Sequence, residues 1–369
     1  MGLEIIAPGP LTTVQDLGRT GMMALGFPPC GAMDAWSARV ANALVANADG
    51  EAVLEMTLCG ITARFTSPAV VALTGAVLDA DVNGVLAPHN TAFAVREGDI
   101  LTCGNIVAGC RAYLAVAGGF DVPAAFGSRS TYLKGKMGGF MGRKLAASDI
   151  LPFRATVATL PNMESRVYTP VKLKTINKKR KLYLMIVQKL TTLRLGKIYT
   201  RKISAARKAS QASKPHVGVA TDTEASSEAI VVRVIPGPQD NYFTERGKSD
   251  FYSSAFIVST QSDRMGIRLD GKKIEFRGAS EIISDGMPLG AVQITPSGQP
   301  IVMTADRQTV GGYAKIAIVA SVDVPLLAQA RPGRTMRFTP VSARGARRLW
   351  LNNERTLKKL RNAWNSVTI

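Results

Sequence analysis

The sequence predicts a mainly β protein made of two β-rich blocks, a few short helices, a basic insertion between the blocks and a C-terminal helix. Three observations carry this. Most of the 369 residues fall into short apolar or alternating runs cut by Gly, Pro and Asn, the pattern of strands and tight turns. Composition changes abruptly over 162–216 and reverts by about 228. A helical period dominates only near 34–47 and beyond 342. Two β-rich blocks of similar size suggest paired barrels or sandwiches, although the letters show no repeat between them. The expected divisions are 1–160, a basic and mobile linker at 161–227, and 228–369 with the terminal helix.

In chain order, "DAWSARVANALVAN" (34–47) reads as a helix capped by Asp34, with Ala38, Ala41, Leu44 and Val45 on one face. "AVVALTGA" (69–76), "ADVNGVLA" (80–87), "TAFAVREGDIL" (91–101) and "CRAYLAVAGG" (110–119) read as strands. "VNG" at 82–84 marks a two-residue hairpin turn, since Asn and Gly tolerate positive φ. A Gly-rich loop region follows, beginning with "DVPAAFGSRSTY" and ending near Pro152. The second block offers strands in "AIVVRVIPGP", "AFIVS", "IRLDG", "GQPIVMTADRQ" and "AKIAIVASVD". In the terminal helix, Ala346, Leu349, Trp350, Leu357, Leu360 and Trp364 recur at helical spacing, which predicts docking on the body with a solvated basic face.

The net charge of +19 would ordinarily point to nucleic acid or an anionic membrane. Its distribution argues otherwise. Residues 162–216 hold 15 Lys/Arg against one acid, and 331–361 hold 10 against one. The other 283 residues carry a net −4, so neither a nucleic-acid partner nor a membrane is expected of the body. Cys30, Cys59, Cys103 and Cys110 form no CxxC pair and read as packed, reduced thiols. With no basic n-region or apolar h-region in "MGLEIIAPGPL", the expected location is the cytoplasm.

Absences narrow the chemistry. Only His89 and His216 are present, so a His-rich metal site is not expected. No GxSxG elbow, GxxxxGK[ST] loop or GxGxxG after a strand occurs. What remains is a series of polar clusters at Gly-rich strand–loop junctions: "TTVQDLGRTG", "GSRSTY", "IPGPQDNYF", "SDRMGIRLDG", "EIISDGMPLGAVQITPSGQP" and "TADRQTVGGYAK". Taken singly, an adjacent Asp–Arg at a turn is an ordinary ion pair or Asx-turn. Six clusters ask for more, because buried polar groups cost free energy unless paired. Guanidiniums beside hydroxyls, amides and glycine-exposed N–H groups suit a carboxylate, a phosphate or a planar urea or lactam.

These segments, with "GFPPCGAMD", "ANALVAN", "LEMTLCG" and "LAQARPG", resemble the second subunit of allophanate hydrolase, the biotin-dependent carboxyltransferase-like family. Its bacterial members include the C subunit of 5-oxoprolinase and the antagonist of the sporulation kinase inhibitor. The resemblance covers about 1–155 and 228–340. It implies two cyclophilin-like β-barrel domains, a homologous partner of the B type and a LamB/YcsF-like partner of the A type. The implied reaction is ATP-dependent opening of the 5-oxoproline lactam to glutamate. Biotin-dependent carboxyl transfer to urea, and a regulator that binds a kinase-inhibitor-like partner without chemistry of its own, are alternatives. On the matching positions, Asp16, Asp263 and Asp306 are expected to orient groups or handle protons. Arg129, Arg264 and Arg307 are expected on phosphate or carboxylate, with Arg307 counted as catalytic, and Gln239 and Gln308 on the amide. Gln15, Arg19, Ser128, Ser130 and Thr309 complete the expected binding set. In place of the family's usual short connection stands the 55-residue basic stretch.

Overall fold

A computed structural model describes residues 1–169 and 228–365. The chain forms β1 (Gly2–Ala7), β2 (Leu11–Gln15), α1 (Ala35–Leu44), β3 (Val53–Thr57), β4 (Thr62–Phe65), β5 (Ala69–Val82), β6 (Val85–Leu86), β7 (Ala92–Val95), β8 (Ile100–Val116) and β9 (Ile150–Pro152). Beyond residue 228 come β10 (Ile230–Pro236), α2 (Glu245–Ser253), β11 (Phe256–Val258), β12 (Gly266–Asp270), β13 (Glu281–Gly286), β14 (Ala291–Ile294) and β15 (Pro300–Met303). The chain continues through β16 (Val310–Tyr313), β17 (Lys315–Val319), α3 (Val324–Ala328), β18 (Thr335–Pro340) and α4 (Ala343–Asn365).

The N-terminal strands make one nine-stranded sheet, ordered β2-β3-β8-β4-β1-β9, with β5 along β8 and β6 and β7 along β5. The sequence separates 69–76 from 80–87, but the chain runs without a break from the first into the start of the second, residues 69–82, as the single strand β5. Its pairing with β8 shifts register after Gly75, where φ is +81°, and Gly109 on β8 has φ +85°. Bulges bend a strand without ending it. The bend lets the first part of β8 pair with β4 and its last part with β3, so the sheet closes half a barrel. The expected turn at 82–84 is present: Asp81 pairs Leu86, Val82 pairs Val85, and Asn83 and Gly84 have φ of 52° and 79°. Asp34 caps α1 as expected, accepting from the Ser37 N–H at 2.9 Å.

The C-terminal strands close a true barrel, β10-β17-β14-β15-β12-β11-β18, sealed by the parallel pairing of β10 with β18. Alternation directs Val232, Val234, Ile267, Leu269, Val292, Val302, Ile316 and Phe338 inward. The Phe251 ring of α2 stacks on Phe338 at 4.6 Å and plugs one end. A separate two-stranded arm, β13 with β16, projects from the barrel and leaves Ile283 and Val310 exposed.

Helix α4 crosses back to the N-terminal half. Its Leu357 and Trp364 join Ala38, Ala41 and Leu44 of α1 in one cluster, and Arg39 forks onto Glu354 at 2.6 and 2.7 Å. Ala346, Leu357 and Trp364 are buried as the spacing predicts, but Trp350 stays 45% exposed. Residues 161–169, expected to begin the linker, are docked on this half. Arg166 is buried with its guanidinium on the carbonyls of Ala43, Leu44 and Trp364, a cation at the C-terminal ends of both helices. The rest of the expected insertion lies outside the described residues. Among the described residues no helix is long and apolar enough to cross a membrane.

Candidate functional site

The two halves meet along a polar seam. Arg264, in the loop before β12, forks onto Asp306 at 2.9 and 2.8 Å and reaches across to Glu55 on β3 and to the Gly31 carbonyl at 2.7 Å. Glu55 also accepts from the Met33 N–H and the Tyr113 hydroxyl, each at 2.8 Å. Burial alone would raise the Glu55 carboxyl, yet Arg264 and Arg111 with these donors hold it below the usual carboxylate range. The network continues through Gln329 in the segment after α3. Its amide donates to Asp34 at 2.8 Å and to the Arg111 carbonyl at 2.9 Å, and its oxygen accepts from the Cys110 and Arg111 N–H groups. Gly109 permits that approach, since a Cβ there would lie 2.7 Å from the Gln329 oxygen.

Several residues expected at a catalytic centre are therefore fastened to their own neighbours. Asp306 and Arg264 complete each other, which removes Arg264 as a free ligand for substrate carboxylate. Asp16, at the end of β2, accepts from the Ser128 hydroxyl at 2.7 Å, the Gly18 N–H at 2.7 Å, the Arg129 N–H at 2.6 Å and the Ser130 hydroxyl. Asp16, Ser128 and Ser130 thus knit the loop after β2 to the glycine-rich loop at 126–142. Gln15 is sealed beneath them, donating to Thr13 and to the Thr131 carbonyl. Asp263 is exposed and shapes its own turn by accepting from the Met265 and Gly266 N–H groups. Arg129 turns its Nε to the Val122 carbonyl at 3.0 Å.

The stretch 304–309 is a turn rather than a strand, and it divides its polar residues between two destinations. Asp306 faces the seam. Arg307 donates to the Met287 carbonyl at 2.8 Å and the Thr304 carbonyl at 3.3 Å. Gln308 is exposed, and the Thr309 carbonyl accepts from Met287 N–H at 2.9 Å. Beyond it, at the barrel mouth beneath the β13–β16 arm, a second polar group assembles. The Lys315 side chain is 1% exposed along its length, and its ammonium meets Asp285, 55% exposed, at 3.0 Å. Lys315 and the Gly286 N–H hold the Asp285 carboxyl below its usual range. Gln239 accepts from the Lys315 N–H at 3.3 Å, and Gln293 donates to the Tyr313 carbonyl at 3.1 Å. A Cβ on Gly311 would lie 2.7 Å from the Gln308 amide nitrogen and 2.9 Å from that of Gln293. Two amides thus converge where the chain carries no side chain.

Of the expected residues, Gln239 and Gln308 come together here. Lys315, Asp285 and Gln293, which lie within the expected polar clusters, join them; Glu55, Tyr113 and Gln329 of the seam were not singled out by sequence reasoning. The signal for Lys315 was present: a lysine on a strand otherwise apolar and buried, four residues after a Gly-Gly pair begins. Among the described residues no three His, Cys, Asp or Glu side chains are grouped to hold a metal ion. An ammonium, a carboxylate and three amides can instead hold an amide or urea, donating to its oxygen and accepting from its N–H.

A closed barrel and a half-barrel are joined by this seam, with a second polar group at one mouth, and the sequence match places the module in the carboxyltransferase class. The chain belongs to the carboxyltransferase domain family, subdomains A and B, which it matches over residues 25–340. It is 32% identical to the C subunit of 5-oxoprolinase from Escherichia coli, over 98% of each chain. Identity to the Haemophilus influenzae protein of the same name is 30%, over 97% of each. Among solved structures it resembles the Kluyveromyces lactis urea amidolyase, with a TM-score of 0.77 and 29% identity, covering 97% of this chain and 20% of that one. These relatives are enzymes or enzyme subunits.

Proposed function

We propose that this chain is the C subunit of an ATP-dependent 5-oxoprolinase, opening the 5-oxoproline lactam to glutamate with partners of the B and LamB/YcsF-like kinds. The observation that carries it is the buried Lys315 ammonium delivered to the open barrel mouth among Asp285, Gln239, Gln293 and Gln308. A lactam is a planar amide whose oxygen gains charge as the carbonyl is activated. A cation and amide N–H groups aimed at that oxygen stabilise the change. Asp285, kept ionised by Lys315, accepts the lactam N–H, and the Lys315 ammonium supplies the proton that the ring nitrogen needs on opening. ATP enters as a co-substrate of the complex.

The likeness to urea amidolyase favours a second reading, carboxyl transfer from carboxybiotin to urea, because urea asks for the same donors and acceptors. Reconstituting the chain with its partners separates the two. Glutamate formed from 5-oxoproline and ATP, and abolished by Lys315→Met, supports the first; ATP- and biotin-dependent carboxylation of urea replaces it with the second. Stable association with neither turnover leaves a regulator.

A further inference from the structure

One loop beside the seam carries donors and cations with nothing to hold. Residues 134–144, "KGKMGGFMGRK", contain four glycines, four cations and no acid. Arg143 is committed to Asp149 and Lys144 to the Pro10 carbonyl, whereas Lys134 and Lys136 are exposed and have no acid partner among the described residues. The loop closes on itself through the Gly142 N–H, which donates to the Gly138 carbonyl at 2.8 Å. The N–H groups of Gly138, Gly139, Phe140 and Met141 have no acceptor among the described residues, although Gly139 is buried. Positive φ at Gly139 (55°) and Met141 (57°) flanks a negative φ at Phe140, and such alternation turns successive N–H groups towards one concavity. Only a glycine fits at 139, because a Cβ there would overlap the Thr131 hydroxyl. Arg19 lies beneath, 2% exposed; its Nη2 donates to the Ser130 carbonyl at 2.7 Å and stands 3.1 Å from where a Cβ on Gly138 would be. Its Nε has no partner. At the rim, the Lys134 ammonium rests against the Met265 sulfur of the C-terminal half. The Met265 carbonyl accepts from the Thr304 N–H at 2.9 Å, so this cation ends one hydrogen bond away from the turn that carries Gln308.

An unpaired N–H in a buried position and a buried cation set against carbonyls both cost free energy, and the negative oxygens of a ligand relieve both. A carboxylate offers two oxygens in one plane. A phosphoryl group offers three, arranged around an axis, and suits main-chain donors spread round a concave turn with lysine point charges at the rim. We infer that residues 134–142 cradle the polyphosphate end of a nucleotide. The N–H groups of 138–141 and the Lys134 ammonium bind the oxygens of one phosphoryl group, Lys136 meets the next, and Arg19 adds positive charge from below. This is not the strand–loop–helix phosphate motif, which the sequence lacks, but a closed turn that reaches the same end with bare backbone. Naming ATP as the source of the phosphate rests on the 5-oxoprolinase reading above; the cradle itself rests on the loop. In that reading the terminal phosphates of ATP are held by this subunit, at the same seam as the amide-binding group.

The test is calorimetric titration of the full-length chain with sodium tripolyphosphate, ATP, AMP and inorganic phosphate. Tripolyphosphate and ATP are expected to bind alike, and about 10-fold or more tightly than AMP or inorganic phosphate. Lys134→Met, at an exposed position that folding does not need, is expected to weaken tripolyphosphate binding about 10-fold, and Lys136→Met to weaken it less. Arg355→Met removes an exposed cation from α4 and leaves that binding unchanged, which controls for the net charge of the chain. No tripolyphosphate binding overturns the cradle. So does binding that Lys134→Met and Arg355→Met weaken equally, which assigns it to the basic segments at large. Inorganic phosphate bound as tightly as tripolyphosphate overturns the nucleotide as the occupant. Lys134-dependent binding in a chain whose reconstituted complex forms no glutamate upholds the cradle and removes the hydrolase reading. Glutamate formation with an unaltered KM for ATP in Lys134→Met does the reverse.

Discussion

The seam and the barrel mouth use the same residue types to opposite ends. In the seam, Arg264, Asp306, Glu55 and Tyr113 satisfy one another within a buried network that spans both halves. At the mouth, Lys315 is buried but its partner Asp285 is open, and two amides converge on a glycine rather than on each other. Saturation separates a brace from a binding group: a charge with every hydrogen bond made by protein has nothing left for a ligand. Motif letters do not reveal this. "TADRQ" supplies a buried brace with Asp306 and an exposed amide with Gln308, two positions apart.

The largest expected effect tests the brace. Arg264→Met strands two buried carboxylates and is expected to cost about 3–5 kcal/mol in chemical denaturation. If it instead leaves stability intact and removes only turnover, the distinction between the regions breaks. Next, Lys315→Met in the reconstituted complex is expected to lower kcat about 100-fold with little change in the unfolding midpoint. A variant with full turnover takes Lys315 out of the mechanism. Gly311→Ala displaces the Gln293 and Gln308 amides and is expected to cost roughly tenfold in kcat/KM, since small misplacements in a site are expensive. Unchanged kinetics would show that those amides do not bind substrate.

The smallest effect concerns pH and lies away from both regions. Burial lowers His89 to about 4, with its Nε2 on the Ala76 carbonyl at 3.0 Å. Because the folded value lies below the unfolded one, stability is complete above pH 6.5 and falls as pH drops towards 4. The loss is about 0.8 kcal/mol at about pH 6. His89→Asn should flatten that slope in acid titrations followed by thermal unfolding, and an unaltered slope would place the titrating group elsewhere.

Much of the fold was legible because its signals are local. Asp34 announced α1, Asn83-Gly84 announced the β5–β6 turn, and alternation in 230–236 gave an inward face. The union of 69–82 into one strand was hidden, because a glycine at positive φ reads as a break when it is a bulge. Trp350 was misplaced for a similar reason: a helical period names a face but not how far along the helix the neighbouring half extends. At the site, residue types were readable and their partners were not. Asp306 and Glu55 are far apart in sequence, and only the packing of one half on the other gives Arg264 to both.

Helix α4 carries a consequence for how the molecule is made. The apolar side of α1 is covered by Leu357 and Trp364, supplied more than three hundred residues later. During synthesis the first half therefore emerges from the ribosome with that patch bare, and it stays bare until the last turn of α4 is translated. The earliest-made part of the chain is the last to be finished.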